Sequence, residues 1–335
     1  MKSGYRILIF GNGRIGRGVF YYLKQDPLIR QVAFFSQGQD IAKYDLLVGA
    51  LAGGLGTLPL RIALKHKKDL IDISDVEPEF YLKKKRESAH KGIAVVACCG
   101  FCPGLINFIL GRELAAHNDI RAIEIKAGSL SPQKDYFPFL WCFEDLILEH
   151  RIPSWQIIKG KIKKFPPFSG YLREKFFAIE AESYFAQSGF ENMMEGLRIK
   201  DFSFRVLRPY GFMAFFRYLE NEGFLKKDTL AISKKIVERK IKENITLGTI
   251  DILTPDKKVT WQMKSSSGPG ERLNSMQKIT AITPAAMAKS ILRGLLKGKG
   301  VFFMEELGRD DALFGAVLKE NKLRKVEIVK STRSI

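Results

Sequence analysis

One short stretch limits what this chain can fold into more than any other: Gly11-Asn12-Gly13-Arg14-Ile15-Gly16, placed directly behind the apolar run Tyr5–Phe10. Its glycines are spaced as G-x-G-x-x-G, a pattern that on its own also marks ordinary tight turns. The flanks discriminate. The preceding run is short and rich in β-formers, and after Gly16 the residues Val19, Phe20 and Leu23 recur at helical spacing until Asp26-Pro27 stops the segment. In a strand–turn–helix of this kind Gly11 permits the turn, Gly13 lets backbone approach a pyrophosphate, and Gly16 lets helix and strand pack closely. The free N–H groups and positive dipole end of the helix suit an anion. A dinucleotide-binding turn is expected in preference to a purely structural glycine turn.

The segments that follow keep alternating. Apolar runs at Gln31–Ser36, Asp45–Leu51, Asp69–Ser74 and Ile93–Cys99 are separated by a helix carrying Leu58, Leu60, Ile62 and Leu64 and by a charged helix over Pro78–Lys91. Strands apolar throughout, alternating with helices, predict a parallel sheet covered on both faces, so the fold class is α/β, a Rossmann-like doubly wound sheet. Only eight residues separate Ser36 from Asp45. That is too short for a crossover helix plus strand, so the second βαβ unit, which supports the adenosine end of a dinucleotide, is expected to be trimmed. From about residue 120 the pattern changes to half-exposed alternation at Ala122–Gly128, Ile157–Phe165, Phe202–Leu207, Ile245–Leu253 and Val259–Met263, with a helix over Gly211–Glu222. This predicts an inserted α+β domain with an open, largely antiparallel sheet. Helical periodicity resumes through Ala285–Leu296 after the polar loop Ser265–Gly270, and Val326–Val329 ends the chain as a short strand.

The 335 residues suffice for two cores, and no apolar run has the length of a membrane span. Four cysteines, two of them adjacent, do not make a secreted disulfide framework, which leads us to expect a reduced, cytoplasmic protein. The net charge of +19 raises the question of nucleic acid or membrane partners. Its lysines are scattered in short groups, Lys83–Arg86, Lys161–Lys164, Lys226-Lys227 and Lys234-Lys235, among acids and without a zinc-finger or RNA-recognition signature. Solvated helix faces are the expected reading, with no nucleic acid and no membrane partner.

Two further stretches carry chemistry-bearing residues. Behind the Ile93–Cys99 strand, at the sheet edge where such folds bind ligands, stands CCGFCPGLINFILGREL. Cys98, Cys99, Cys102 and Cys142 lack metal-site spacing, so no metal is expected and buried thiols near a cofactor are the simpler reading. The stretch PFLWCFEDLILEHRIP is either an amphipathic helix with Leu146 and Ile147 buried and its acids solvated, or a wall of a substrate pocket in which Trp141 and Glu144 meet an amine.

Taken in order, five motifs resemble the saccharopine dehydrogenase-like family, which reduces imines or oxidises amines of amino acids and polyamines. GNGRIGRG with the following VAFFS is similar to its cofactor turn, and DLIDISDVEPEF to its V-V-D-x-S-Y strand. GFCPGLINFILGREL is similar to its Pro-Gly substrate loop, LWCFEDLILEHRIP to its W-S-x-E-G-L-I-x-E-Y segment, and FSFRVLRPYGFMAFFRYLENEGF to its T-x-R-Y-P-G-H strand and helix. The resemblance covers most of the chain. It implies a Rossmann domain of residues 1–121 and 275–335, an inserted substrate and dimerisation domain of residues 122–274, and NAD(P)-dependent hydride transfer at a C–N bond.

Cofactor contacts are then expected at Gly11, Asn12, Gly13, Arg14, Ile15, Gly16, Ser36, Gln37, Ala50, Leu51, Ala52, Ser74, Cys98 and Cys99. Substrate contacts are expected at Phe101, Cys102, Pro103, Gly128, Ser129, Trp141, Glu144 and Arg208, with Glu144 holding the amine and Arg208 a carboxylate. Cys102-Pro103-Gly104 followed by Asn107 replaces the Asp-Pro-Gly and distal His of saccharopine reductases, and His150 replaces a Tyr. These departures argue against saccharopine itself and leave lysine-type amines and carboxypolyamines open. The second strand ends Phe34-Phe35-Ser36-Gln37 with no acid before Asp40, and Arg14 stands inside the turn. NADP is expected over NAD, because the 2′-phosphate meets no immediate carboxylate. A homodimer is expected through an exposed face bearing Phe165, Phe168, Phe176 and Phe177. A non-catalytic nucleotide-binding protein that retains the fold is the alternative.

Overall fold

The computed structural model describes residues 4–74, 76–132, 142–187, 189–237 and 243–335. The chain divides into two compact units, Met1–Asn118 with Gln277–Lys325, and Asp119–Met276 with Val326–Ile335.

The first unit is a Rossmann-like α/β layer on six parallel strands. Their order across the sheet is Gly300–Phe303, Ala94–Ala97, Asp69–Asp72, Leu46–Gly49, Tyr5–Phe10, Ile29–Phe34. Ile7–Phe10, Leu46–Val48 and Ala94–Ala97 are buried along their length, which is why these strands read as continuous apolar runs. The first strand pairs with the second on one side and the third on the other, so the chain changes direction across it. That switch point, at the carboxyl ends, is where ligands bind in such sheets.

The second βαβ unit is trimmed as expected. From Phe34 the chain returns to Leu46 through a loop and one 3-10 turn, Ile41–Lys43, which Asp40 caps by accepting from the Ala42 N–H at 3.0 Å. The charged helix expected over Pro78–Lys91 is two short helices, Pro78–Lys83 and Lys85–His90, broken at Lys84. Helix Ser275–Leu292 packs behind the first helix, Arg14–Lys24, so closely that a Cβ on Gly18 would lie 2.9 Å from that of Ala281.

The second unit is an α+β layer on a mixed sheet. Its main path runs Glu327–Ser334, Lys257–Ser267, Asn244–Leu253, Ala122–Leu130, Asp201–Pro209, Ile179–Phe185, Leu172–Phe176. The central pair, Ala122–Leu130 and Asp201–Pro209, is parallel and its other neighbours are antiparallel.

Three expectations are corrected here. Ile157–Phe165 is a hairpin, Ser154–Ile158 and Lys161–Phe165, turned by Lys159 and Gly160 at φ 53° and 73°. Two successive positive φ values are what a tight hairpin turn requires. The strand expected at Val326–Val329 extends to Ser334 and pairs antiparallel with Lys257–Ser267, so the chain end joins the second unit rather than the first. Of the four phenylalanines expected on an open face, only Phe177 is exposed, at 60%. Phe165 meets the ring of Phe185, Phe168 that of Tyr184, and Phe176 packs against the buried cluster of Leu130, Ala181, Leu207 and Leu247.

Candidate functional site

The glycine turn lies at the switch point, and its three glycines are not equivalent. Gly11 has φ 110°, and a Cβ there would sit 2.2 Å from the carbonyl oxygen of Ala50 at the end of the neighbouring strand. A Cβ on Gly16 would sit 2.0 Å from the Gly11 carbonyl oxygen. Both positions are closed to any side chain. Gly13, which caps the helix Arg14–Lys24 without a side-chain bond, faces open space, with nothing within 4 Å of its absent Cβ. The helix has no acid in its first turn. An uncapped helix N-terminus beside an empty glycine surface fits a pyrophosphate. Arg17, missed by the sequence reading, is anchored over the turn, its Nε donating to the carbonyl and Oδ1 of Asn12, each at 3.0 Å. Arg14 and Ile15 are half-buried, and the Arg14 carbonyl accepts from Gln277 Nε2 at 2.9 Å.

Beside the turn, the ends of the next strands are tied together. Leu51 N–H donates to Ser74 Oγ at 3.1 Å, and Ser74 N–H to Oδ1 of the fully buried Asp72 at 2.9 Å. Burial pushes the Asp72 carboxyl up against the pull of its bonds to Ser74. Ala50 N–H donates to the Phe10 carbonyl at 2.8 Å, and Ala52 is exposed. At the end of the second strand, Ser36 N–H donates to Gln39 Oε1 at 3.0 Å, and Gln37 is exposed. Asp40 is occupied by its own turn, with Lys43 Nζ at 3.7 Å.

The cysteine loop is a rigid corner. Cys98 is half-buried in the left-handed region at φ 55°, and the Cys99 N–H donates to the Asp72 carbonyl at 3.0 Å. Burial, followed by Cys98 and Asp72, pushes the Cys99 thiol well up, so it is no thiolate nucleophile. Phe101 is buried, Cys102–Pro103 is cis, and Gly104 at φ 145° donates its N–H to Asn107 Oδ1 at 3.0 Å. Asn107 thus holds the loop. Among the described residues no His/Cys/Asp/Glu group is arranged to hold a metal.

In the second unit, Gly128, Ser129 and Arg208 come together on the parallel central strands, and a Cβ on Gly128 would lie 2.1 Å from the Leu207 carbonyl oxygen. The polarity of Ser129 is decided by a chain of bonds. Ser275 N–H can only donate, so at 3.0 Å it defines the Asn244 oxygen, which also takes the Ser275 hydroxyl hydrogen. Thr246 must then donate to Ser275, and Ser129 to Thr246, each at 2.8 Å. The Ser129 oxygen is left with lone pairs only, an acceptor for an N–H.

Both charged candidates of this unit carry partners of their own. Glu144 receives Lys234 Nζ at 3.0 and 3.1 Å and the Cys142 thiol at 3.3 Å. Burial works upward on its pKa but is outweighed by Lys234, so the carboxyl stays ionised below its usual range. Burial, then hydrogen bonding to Asp145, pushes the Cys142 thiol up to about 12. Arg208 is buried and its Nη2 donates to Glu149 Oε2 at 2.7 Å. His150, next in sequence, is a core residue: the Leu146 carbonyl at 2.7 Å can only accept, so Nδ1 carries the hydrogen and Nε2 accepts from Tyr184 at 2.8 Å. Burial and then Arg208 hold it neutral, well below 6.5. Glu149 and Lys234 were missed because their roles depend on pairing between segments 59 and 90 residues apart. Trp141 lies outside the described residues.

No family model matches the sequence, and no curated protein does. Solved structures do. Apo histidine-tagged saccharopine dehydrogenase (L-Glu forming) from Saccharomyces cerevisiae superposes with a TM-score of 0.82 at 15% identity, over 98% of this chain and 100% of that one. C. glutamicum DAP dehydrogenase in complex with DAP gives 0.48 at 13%, over 91% and 94%. The chain therefore has a saccharopine dehydrogenase-like fold, as the order of its motifs implied.

Proposed function

We propose that the protein is an NAD(P)-dependent oxidoreductase that transfers hydride to or from the C–N bond of an amino acid or polyamine-type substrate. One observation carries the reading: at the switch point Gly11 and Gly16 are closed to side chains while Gly13 faces open space beside an uncapped helix N-terminus. Gly11–Gly16, with Ala50–Ala52, Ser74, Cys98 and Cys99 at the neighbouring strand ends, would hold the dinucleotide. When bound, the nicotinamide supplies or takes the hydride. The chain's residues orient and select. Ser129 offers an acceptor to an amine N–H, Arg208 a guanidinium to a carboxylate, and Phe101, Cys102 and Pro103 a rigid wall. Asp40 is spent on its own turn, which supports NADP over NAD, and Ser36, Gln37 and Arg14 are the residues assigned to a 2′-phosphate.

The experiment is a thermal-shift titration with NADPH and NADH, followed by oxidation and reductive-amination screens over lysine-type and carboxypolyamine substrates. Nucleotide stabilisation with turnover is expected; no stabilisation by either nucleotide refutes the reading. The second reading, a nucleotide-binding protein without turnover, has its own observation. Glu144 is occupied by Lys234 and Arg208 by Glu149, so both charged candidates are already neutralised. Binding without turnover on any amine selects it.

A further inference from the structure

We propose that one end of the second unit's sheet, with the hairpin Ser154–Phe165, is a binding surface for single-stranded nucleic acid. In the sequence Arg121, Lys159, Lys161, Lys200 and Arg333 are spread over more than two hundred residues. The topology puts them on one rim. Gly160 N–H donates to the Lys200 carbonyl at 2.7 Å, Lys200 N–H to that of Arg121 at 2.9 Å, and Arg121 N–H to that of Leu253 at 2.7 Å. Leu253 is paired with Lys258, and Lys258 with Arg333. All five cationic side chains are exposed, and none has an ion-pair partner among the described residues. Asp201, which accepts the Lys159 N–H at 3.0 Å, and Asp256, which accepts the Thr254 hydroxyl at 2.6 Å, keep their negative charge at this rim, where the five cations outnumber them. The row crosses seven strands, about 29 Å at the usual strand spacing.

At its end the row turns along the edge strand Lys161–Phe165, where Lys163 and Lys164 are also exposed. There the Lys164 ammonium lies 5.4 Å over the ring of Trp155, which is 39% exposed. A cationic track ending on an exposed aromatic face is the pairing by which proteins hold a phosphodiester backbone and stack a base without reading sequence. An anionic bilayer fits less well. The hairpin tip is Lys159-Gly160, and the edge strand with its lysines and Trp155 runs about 13 Å back from it, out of a flat surface's reach, while the exposed apolar side chains nearby, Leu253 and Ile162, are single and not a continuous face.

The test is fluorescence anisotropy of labelled oligothymidylate and oligouridylate on the full chain across a salt series, with phosphatidylglycerol vesicle co-sedimentation in parallel. Each phosphate contact contributes about −0.7 to the slope of log K against log salt, so five give about −3.5. The K159E/K161E/K200E variant should bind at least tenfold more weakly with a shallower slope, and W155A about tenfold more weakly at an unchanged slope. K83E, an exposed charge on the first unit, should bind as the parent does, and melting curves should show every variant folded. Absence of oligonucleotide binding at low salt, equal losses in K83E and the rim variant, or binding to vesicles but not oligonucleotides overturns the proposal. None of these readouts involves NAD(P) or amine turnover, so the proposal stands or falls separately from the enzymatic one.

Discussion

At the scale of single residues, the glycine turn separates positions closed to any side chain from one that is open, within six positions. Gly13→Val adds a side chain into open space on an extended backbone, φ −79° and ψ −170°, that any residue adopts. The variant should melt within about 0.5 kcal/mol of the parent while losing NAD(P)H stabilisation in a thermal-shift assay. Gly16→Val should instead fail to fold or lose several kcal/mol, because its Cβ would meet the Gly11 carbonyl oxygen at 2.0 Å. Unaltered nucleotide stabilisation in Gly13→Val would disprove the dinucleotide reading of this turn. For the choice of cofactor, calorimetric titration of Arg14→Ala should show a selective loss of NADP affinity, about tenfold for one charge-assisted contact to the 2′-phosphate. Equal losses for NAD and NADP would remove Arg14 from that role. The spacing placed these glycines and suggested their different roles, but that Gly11 is closed by the Ala50 carbonyl, 34 residues beyond Gly16, became visible only in the fold.

At the scale of elements, the C-terminal helices are held to the first βα unit by a buried ion cluster. Lys289, on helix Ser275–Leu292, meets Asp26 behind the first helix and Glu320 on helix Asp311–Leu323, the latter at 2.8 Å. Lys289→Met strands two carboxylates in a nearly closed site, so urea unfolding should show a loss of about 3–5 kcal/mol. Asp26→Asn in the same background should restore part of it. Helix Phe143–Glu149 is docked differently, through His150 in a cage of Phe168, Tyr184, Phe212 and Phe216. That imidazole stays neutral in the folded chain well below 6.5, whereas the unfolded chain protonates it near 6.5. Its contribution is complete above that pH and is lost as the pH falls below it, by up to about 1.4 kcal/mol per pH unit. Burial raises Glu149 and gives the opposite slope just above its usual range, so the difference between the parent and His150→Phe isolates the imidazole. The parent should lose more stability than the variant between pH 6.5 and 5, measured by denaturant midpoints; parallel curves would mean that His150 is not held neutral.

At the scale of the whole molecule, we propose a homodimer, as the family resemblance implies, now resting on a surface that keeps only Phe177 as an exposed member of the four phenylalanines first expected. The edge strand Leu172–Phe176 has exposed Tyr171 before it, exposed Leu172 as its first residue and exposed Phe177 after it, and an exposed apolar edge favours being covered. Light scattering should give twice the chain mass, and Phe177→Asp should shift it toward the monomer; a monomer mass for the parent at micromolar concentration contradicts the proposal. The same scale separates what could be read in advance from what could not. The parallel sheet, its shortened second crossover, the presence of a second α+β layer and the glycine turn were legible in the sequence, because burial on both faces, helical period and glycine spacing are local signals, whereas the parallel central pair of the second sheet was not. The partners of Glu144 and Arg208, the neutral imidazole of His150, the acceptor polarity of Ser129 and the strand that carries the chain end into the second sheet were not. Each follows from groups far apart in the chain meeting at hydrogen-bonding distance. The charge shows the same division: the sequence by itself determined that it is +19 and scattered, and only strand pairing gathered part of it onto one rim. Electrostatic and hydrogen-bond energies depend on distance in space, and the sequence records only distance along the chain.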